Sequence, residues 1–108
     1  MKRSNDRVPL KSTFRFRRVE DAEFPYVETS QVRGDVSLDG MFVPTKWFFP
    51  EGTVIELEFT LPRRGLPLQA VGRVVWSGHA AKGTGMGILF RQIDPRERLR
   101  LRRYAMAQ

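Results

Sequence analysis

In Val54-Ile55-Glu56-Leu57-Glu58-Phe59-Thr60-Leu61, apolar and polar side chains alternate from Ile55 to Leu61. Successive side chains of an extended strand point to opposite faces, so Ile55, Leu57, Phe59 and Leu61 share one face and Glu56, Glu58 and Thr60 the other. One dry face and one wet face belong to an antiparallel sheet. Pro62-Arg63-Arg64-Gly65 then reads as a hairpin turn, and residues 68–77 as a long following strand. Working outward, Phe14 and Phe16 alternate with Arg15 and Arg17, while Met86, Ile88 and Phe90 alternate with Gly87, Leu89 and Arg91. Residues 26–34 supply another strand after the polar turn Glu20-Asp21-Ala22-Glu23, and Met41-Phe42-Val43 a short one ended by Pro44. Pro50-Glu51-Gly52 marks a further turn, and Ser77 to Gly85 a glycine-rich loop.

Asp94-Pro95-Arg96-Glu97 is a helix start, with Asp at the N-cap, Pro at the first helical position and Glu at the third. Leu99, Leu101, Tyr104, Ala105 and Met106 follow among arginines, so this helix is only loosely amphipathic. About six short strands with closely spaced turns, then one helix, predict an all-β domain: a small six-stranded antiparallel barrel with a C-terminal α-helix. Residues 1–11 read as a flexible basic arm and residues 12–108 as the barrel with its helix.

At 108 residues there is room for one domain with a sizeable core. No apolar run approaches the ~18 residues of a membrane-spanning helix, and no apolar stretch follows the basic N-terminus, so a cytoplasmic location is expected. The absence of cysteine excludes disulfides, thiolate nucleophiles and cysteine-ligated metals. His79, the one histidine, sits in the Gly/Ala-rich loop and reads as a solvent-exposed residue. Glu56 and Glu58 read as exposed strand charges. No catalytic constellation or metal set emerges, and no enzyme activity or cofactor is expected.

The net charge of +7 is uneven. Residues 1–18 carry seven Lys/Arg against Asp6, and residues 91–108 carry six Arg against Asp94 and Glu97. The stretch between is net acidic, at −3. A polyanion site therefore depends on whether the two basic ends meet in space.

Two pieces carry recognisable chemistry. Arg3-Ser4-Asn5-Asp6-Arg7 sets two arginines four residues apart, and Asp35-Val36-Ser37-Leu38-Asp39-Gly40 reads D-x-S-x-x-G. In order, they resemble the paired signature of the PilZ domain family, bacterial receptor modules many of which bind the second messenger cyclic di-GMP. The likeness extends through Val8-Pro9-Leu10, Met41-Phe42-Val43, Gly72-Arg73-Val74-Val75-Trp76 and Gly85-Met86-Gly87-Ile88-Leu89-Phe90, nearly the whole chain. It implies the same barrel and helix, and a ligand site at Arg3, Arg7, Asp35, Ser37 and Gly40, with Lys2 and Trp76 as secondary contacts.

The residue types suit that ligand. Arginine offers a planar fork matching phosphate oxygens or guanine O6 and N7, and its face stacks on purines. An aspartate accepts from the guanine N1–H and N2 amino edge. A serine hydroxyl either donates to phosphate or holds the turn through its own backbone. Gly40 would allow positive φ and close approach of ligand to main chain. Lys2 stands where the family often has another arginine, which favours one bound ligand over an intercalated pair.

The chain is thus expected to be a cyclic di-GMP receptor and adaptor, a monomer or weak dimer, whose arm orders over the ligand and is read by a downstream protein. Two rivals stand beside it: a PilZ-fold interaction adaptor that binds no nucleotide, and a basic barrel binding RNA or DNA through arm and helix, with Trp76 and phenylalanines as stacking platforms. The acidic central strands disfavour nucleic acid.

Other signals are weaker. Gly83-Thr84-Gly85-Met86-Gly87 lacks the glycine that a dinucleotide fingerprint needs at 88, and Thr84-Gly85 stands where a Walker A loop has Lys-[Ser/Thr]. Trp47-Phe48-Phe49 reads as packing in the core or at a barrel end, with an exposed partner surface as the alternative. The arginine-rich helix, Arg96 to Arg103, reads as a solvated face, with contact to phosphate, lipid headgroups or an acidic partner as the alternative.

Overall fold

A computed structural model describes residues 7–21, 23, 25–62, 65–81 and 83–107. Six strands follow in chain order: β1 (Val8–Arg18), β2 (Val27–Val36), β3 (Gly40–Pro44), β4 (Val54–Phe59), β5 (Leu68–Ala80) and β6 (Gly83–Ile93). A short 3-10 turn (Val19–Asp21) follows β1, and a helix, α1 (Pro95–Met106), follows β6. The strands close into an antiparallel barrel in the order β1-β2-β3-β6-β5-β4. Closure leaves no unpaired edge to template aggregation.

The alternation that predicted the strands fills the barrel. Leu10, Phe14, Phe16, Met41, Ile55, Phe59, Val74 and Met86 are fully buried. Each such side chain contributes about 1.5–3 kcal/mol by leaving water. Ser12 also points inward, and its hydroxyl accepts from Thr60 N at 3.0 Å, which pairs this buried polar group.

Two expectations are corrected. The arm was placed over residues 1–11, yet β1 begins at Val8, and Val8 to Lys11 pair in register with Val36 to Arg33. Val8 and Leu10 are apolar at period two and join the core, so these residues belong to the barrel. The glycine-rich loop expected from Ser77 to Gly85 is instead mostly paired strand, with β5 and β6 matched out to Ala80 and Gly83. Gly78 and Gly83 do adopt positive φ (116° and 122°), but within the hairpin. The Trp47-Phe48-Phe49 run divides: Phe49 meets Phe16 edge to face at 6.1 Å, while Trp47 is 76% exposed.

The helix starts as predicted, with Asp94 Oδ1 accepting from Arg96 N at 2.8 Å. It buries Leu101, Tyr104 and Ala105. Tyr104 Oη donates to Pro9 O (2.6 Å), Arg98 Nη1 to Leu38 O (3.1 Å) and Arg100 Nη2 to Leu66 O (2.6 Å). These contacts set α1 over the start of β1, the β2–β3 turn and the connection into β5. The helix of the C-terminal basic stretch therefore meets the described part of the N-terminal one at Pro9. No helix among the described residues is long and apolar enough to cross a membrane.

Candidate functional site

Arg7, the described residue of the first half of the sequence signature, meets the second half at the start of β1. Arg7 directly precedes that strand, and Asp35 lies opposite Pro9 on β2. Arg7 Nη1 donates to Asp35 Oδ1 at 3.0 Å, with side chains 39% and 20% exposed. Since Val8, Leu10 and Val36 point inward, Pro9 and Asp35 point outward.

The same register carries the row onward. Asp35 pairs with Phe42, Phe42 with Gly87, and Gly87 with Trp76, so Pro9, Asp35, Phe42, Gly87 and Trp76 cross five strands on one outer face. The phase is kept on β5 by a register shift between Val74 and Trp76. The Trp76 indole lies across β6 and stacks on Phe42, with centroids 5.6 Å apart and planes 12° from parallel. Gly87 makes this arrangement fit, because a Cβ there would stand 2.0 Å from Trp76 Nε1.

An open cavity of about 390 Å³ lies beside this row, lined by Arg7, Pro9, Arg33, Gly34, Asp35 and Phe42. Next to it Lys11 faces Arg33 directly across the strands, both exposed. Like charges placed opposite repel, and an anion bound between them relieves that repulsion. The surface thus combines excess positive charge, one carboxylate acceptor and an aromatic wall.

The β2–β3 turn is held by Ser37. Its buried Oγ accepts from Asp39 N and Gly40 N, both at 3.2 Å, and lies 3.4 Å from Gly40 O. Of the two roles foreseen for this hydroxyl, holding the turn is the one visible in the structure. Gly40 requires a correction: it is not among the glycines with positive φ. It is small because β6 passes close by, a Cβ at Gly40 falling 2.0 Å from Ile88 O. The turn is further tied to β6 by Phe90 N donating to Asp39 O at 2.7 Å.

The helix touches the second half of the signature at Leu38 O through Arg98, and the strand that follows the first half at Pro9 O through Tyr104. Burial pushes the Tyr104 phenol above its usual pKa, with the nearby Arg33 charge pulling the other way.

The structure therefore brings Arg7, Asp35, Ser37, Gly40 and Trp76 to one side of the barrel, while Arg3 and Lys2 lie outside the described residues. Sequence reasoning missed Arg33 and Phe42 as lining residues. Pairing the two strands around the Asp35–Gly40 turn would have found Phe42, since a hairpin sets it opposite Asp35. A larger depression of about 620 Å³ lies at the far end of β1, around Arg18 and Glu51. Arg18 there is already paired with Asp21 and Glu20, and neither half of the signature is present.

A closed six-stranded barrel, with R-x-x-x-R leading into β1 and D-x-S-x-x-G between β2 and β3, defines a class of small ligand-receptor domains. The PilZ domain family model matches residues 1–107, and the chain belongs to that family of cyclic di-GMP receptor domains. Among solved structures it is similar to the Bacillus subtilis inhibitor of motility, MotI/DgrA, with a TM-score of 0.68 and 13% sequence identity over 99% of this chain and 50% of that one. At that identity the likeness shows the fold alone, and this chain spans half the length of that neighbour. A comparison with curated proteins finds no match.

Proposed function

We propose that this chain is a cyclic di-GMP receptor that acts as a signalling adaptor. The observation that supports it most is the 3.0 Å contact between Arg7 and Asp35, one residue from each half of the signature, at the rim of an open cationic cavity. Arg7 and Arg3 clamp phosphate and guanine. Asp35 accepts from the guanine N1–H and amino edge, while Ser37 and Gly40 hold the turn that aims it. Lys2 and Trp76 are secondary contacts.

Binding must replace or share the Arg7–Asp35 pair. An exposed ion pair of this kind contributes about 0–1 kcal/mol. A bidentate arginine contact to a guanine edge is worth about 1–3 kcal/mol, so the exchange favours ligand. The segment ahead of Val8 then closes over the ligand, and a downstream protein reads the changed surface. With Val8 to Lys11 fixed in β1, closure concerns only the residues before them.

Calorimetric titration should give micromolar or tighter binding, about −8 kcal/mol. Absence of heat and of competition at high micromolar ligand replaces this reading with the adaptor that binds no nucleotide. NMR order parameters at Arg3 and Arg7 should rise on saturation while β4 and β5 stay unchanged. If they do not rise, closure of the segment is not how the signal is made.

A further inference from the structure

The outer stripe of α1 is left without an internal role. Two of the helix's arginines are tied inward: Arg98 bonds Leu38 O, and Arg100 bonds Glu97 and Leu66 O; Arg103 is exposed in the last turn, where a cation also complements the helix dipole. Arg96 is 94% exposed and only 3.9 Å from Asp94, and Arg102 is exposed with no ion pair among the described residues. Arg98 and Arg102, four residues apart, repel each other, which weakens the helix slightly. Leu99 and Met106, 48% and 57% exposed, lie on the same outer side.

The spacing of these residues is ordered. Arg96, Leu99, Arg103 and Met106 follow at intervals of three, four and three, so they form one stripe about 15 Å long, alternating cation and apolar group. Arg102 flanks it. The stripe lies on the helix whose inner side holds Pro9 O, just after the first half of the signature, and Leu38 O, within the second.

We propose that this stripe is a docking surface for an acidic amphipathic helix of a partner protein. Carboxylates on such a helix would meet Arg96, Arg102 and Arg103, and its apolar seam would cover Leu99 and Met106. The charged groups here are all arginines, whose planar forks match carboxylates bidentately and directionally. The proposal does not depend on nucleotide binding, and its test contains no nucleotide.

The test uses the whole chain and a fluorescent synthetic peptide of about three heptads, with Leu at the seam positions and Glu flanking them, a pattern that disfavours self-pairing. Anisotropy should show saturable binding at about 0.1 M salt that weakens as salt rises. The double variant R102E/R103E should bind about tenfold or more weakly, because like charges then face the probe. L99A/M106A should also weaken binding, by several fold, with unchanged thermal unfolding showing that both variants are folded. No binding of the peptide, or equal binding by R102E/R103E, overturns the proposal. So does equal binding by L99A/M106A, which would reduce the stripe to charge alone. Vesicles of anionic and zwitterionic lipid are run in parallel. If they displace the peptide or bind where it does not, the face is a membrane surface and the proposal fails.

Discussion

The two halves of β1 carry the same kind of residue and use it differently. In the second half Arg15 reaches Glu58 at 3.0 Å and Glu28 at 3.6 Å, and Arg17 reaches Glu56 at 2.8 Å. Both guanidinium groups also lie over the Tyr26 ring, at 4.8 and 4.3 Å. The Glu56 hydrogen bond holds the Arg17 guanidinium above its usual pKa. At its start, with Arg7 just ahead of the strand, the neighbouring cavity is lined by Arg7 and Arg33 with Asp35 as the one carboxylate among the described residues, and Lys11 faces Arg33. A cation with a full set of carboxylates is a structural element. Cations outnumbering their carboxylates, beside an aromatic wall, leave a place for an added anion.

Since the halves share one core, the difference should vanish for substitutions that face inward. Phe16→Ala, at a fully buried site, should cost about 3–5 kcal/mol of stability, read from denaturant unfolding. Leu10→Ala in the other half should cost about 2–5 kcal/mol. A small loss at either position would mean that the barrel is not packed as described. Facing outward, the halves should separate. Arg7→Ala should reduce cyclic di-GMP affinity by about 1–3 kcal/mol and leave unfolding nearly unchanged.

Asp35→Ala sharpens the comparison, because it removes negative charge beside a dianion. A purely electrostatic site would bind more tightly after that change. Reading of the guanine edge requires the opposite, and weaker binding is the expected outcome in the same titration.

Tyr104→Phe, which removes the donor to Pro9 O, should cost about 0.5–1.5 kcal/mol near neutral pH. Its pH dependence has a definite sign. The folded phenol holds its proton more tightly than the unfolded one, so its contribution is complete below the unfolded value of 10.0 and is lost as pH rises through the higher folded value. The wild-type protein should therefore lose stability faster above pH 10 than the phenylalanine variant. Parallel loss in both would show that the folded phenol gives up its proton as readily as the unfolded one. The smallest effect belongs to Arg15→Ala, a few tenths to about 1 kcal/mol of stability.

The barrel was legible because its signal is local. Period-two alternation at Val54–Leu61 and at Phe14 and Phe16 gives the strand and its inward face together. The start of β1 was hidden, since Val8 and Leu10 are two apolar residues among charges and reveal their inward face only when paired with Val36 and Gly34. The β5–β6 hairpin was hidden in the same way: its many glycines read as loop, whereas Gly85 and Gly87 are small because neighbouring strands and Trp76 crowd them. At the site, the motif residues could be named from sequence alone. Arg33, Phe42 and the true reason for Gly40 depend on cross-strand register and on the path of β6, which no single segment encodes.

The central claim is that the face at the start of β1, with Arg7 just ahead of the strand, meets cyclic di-GMP and that the far half does not. The most direct measurement titrates the ligand in parallel into wild-type protein, Arg7→Ala and Arg15→Ala. Micromolar binding by wild type, about tenfold or greater weakening in Arg7→Ala and an unchanged constant in Arg15→Ala is the result expected. No binding by wild type, or equal weakening by both substitutions, would contradict it.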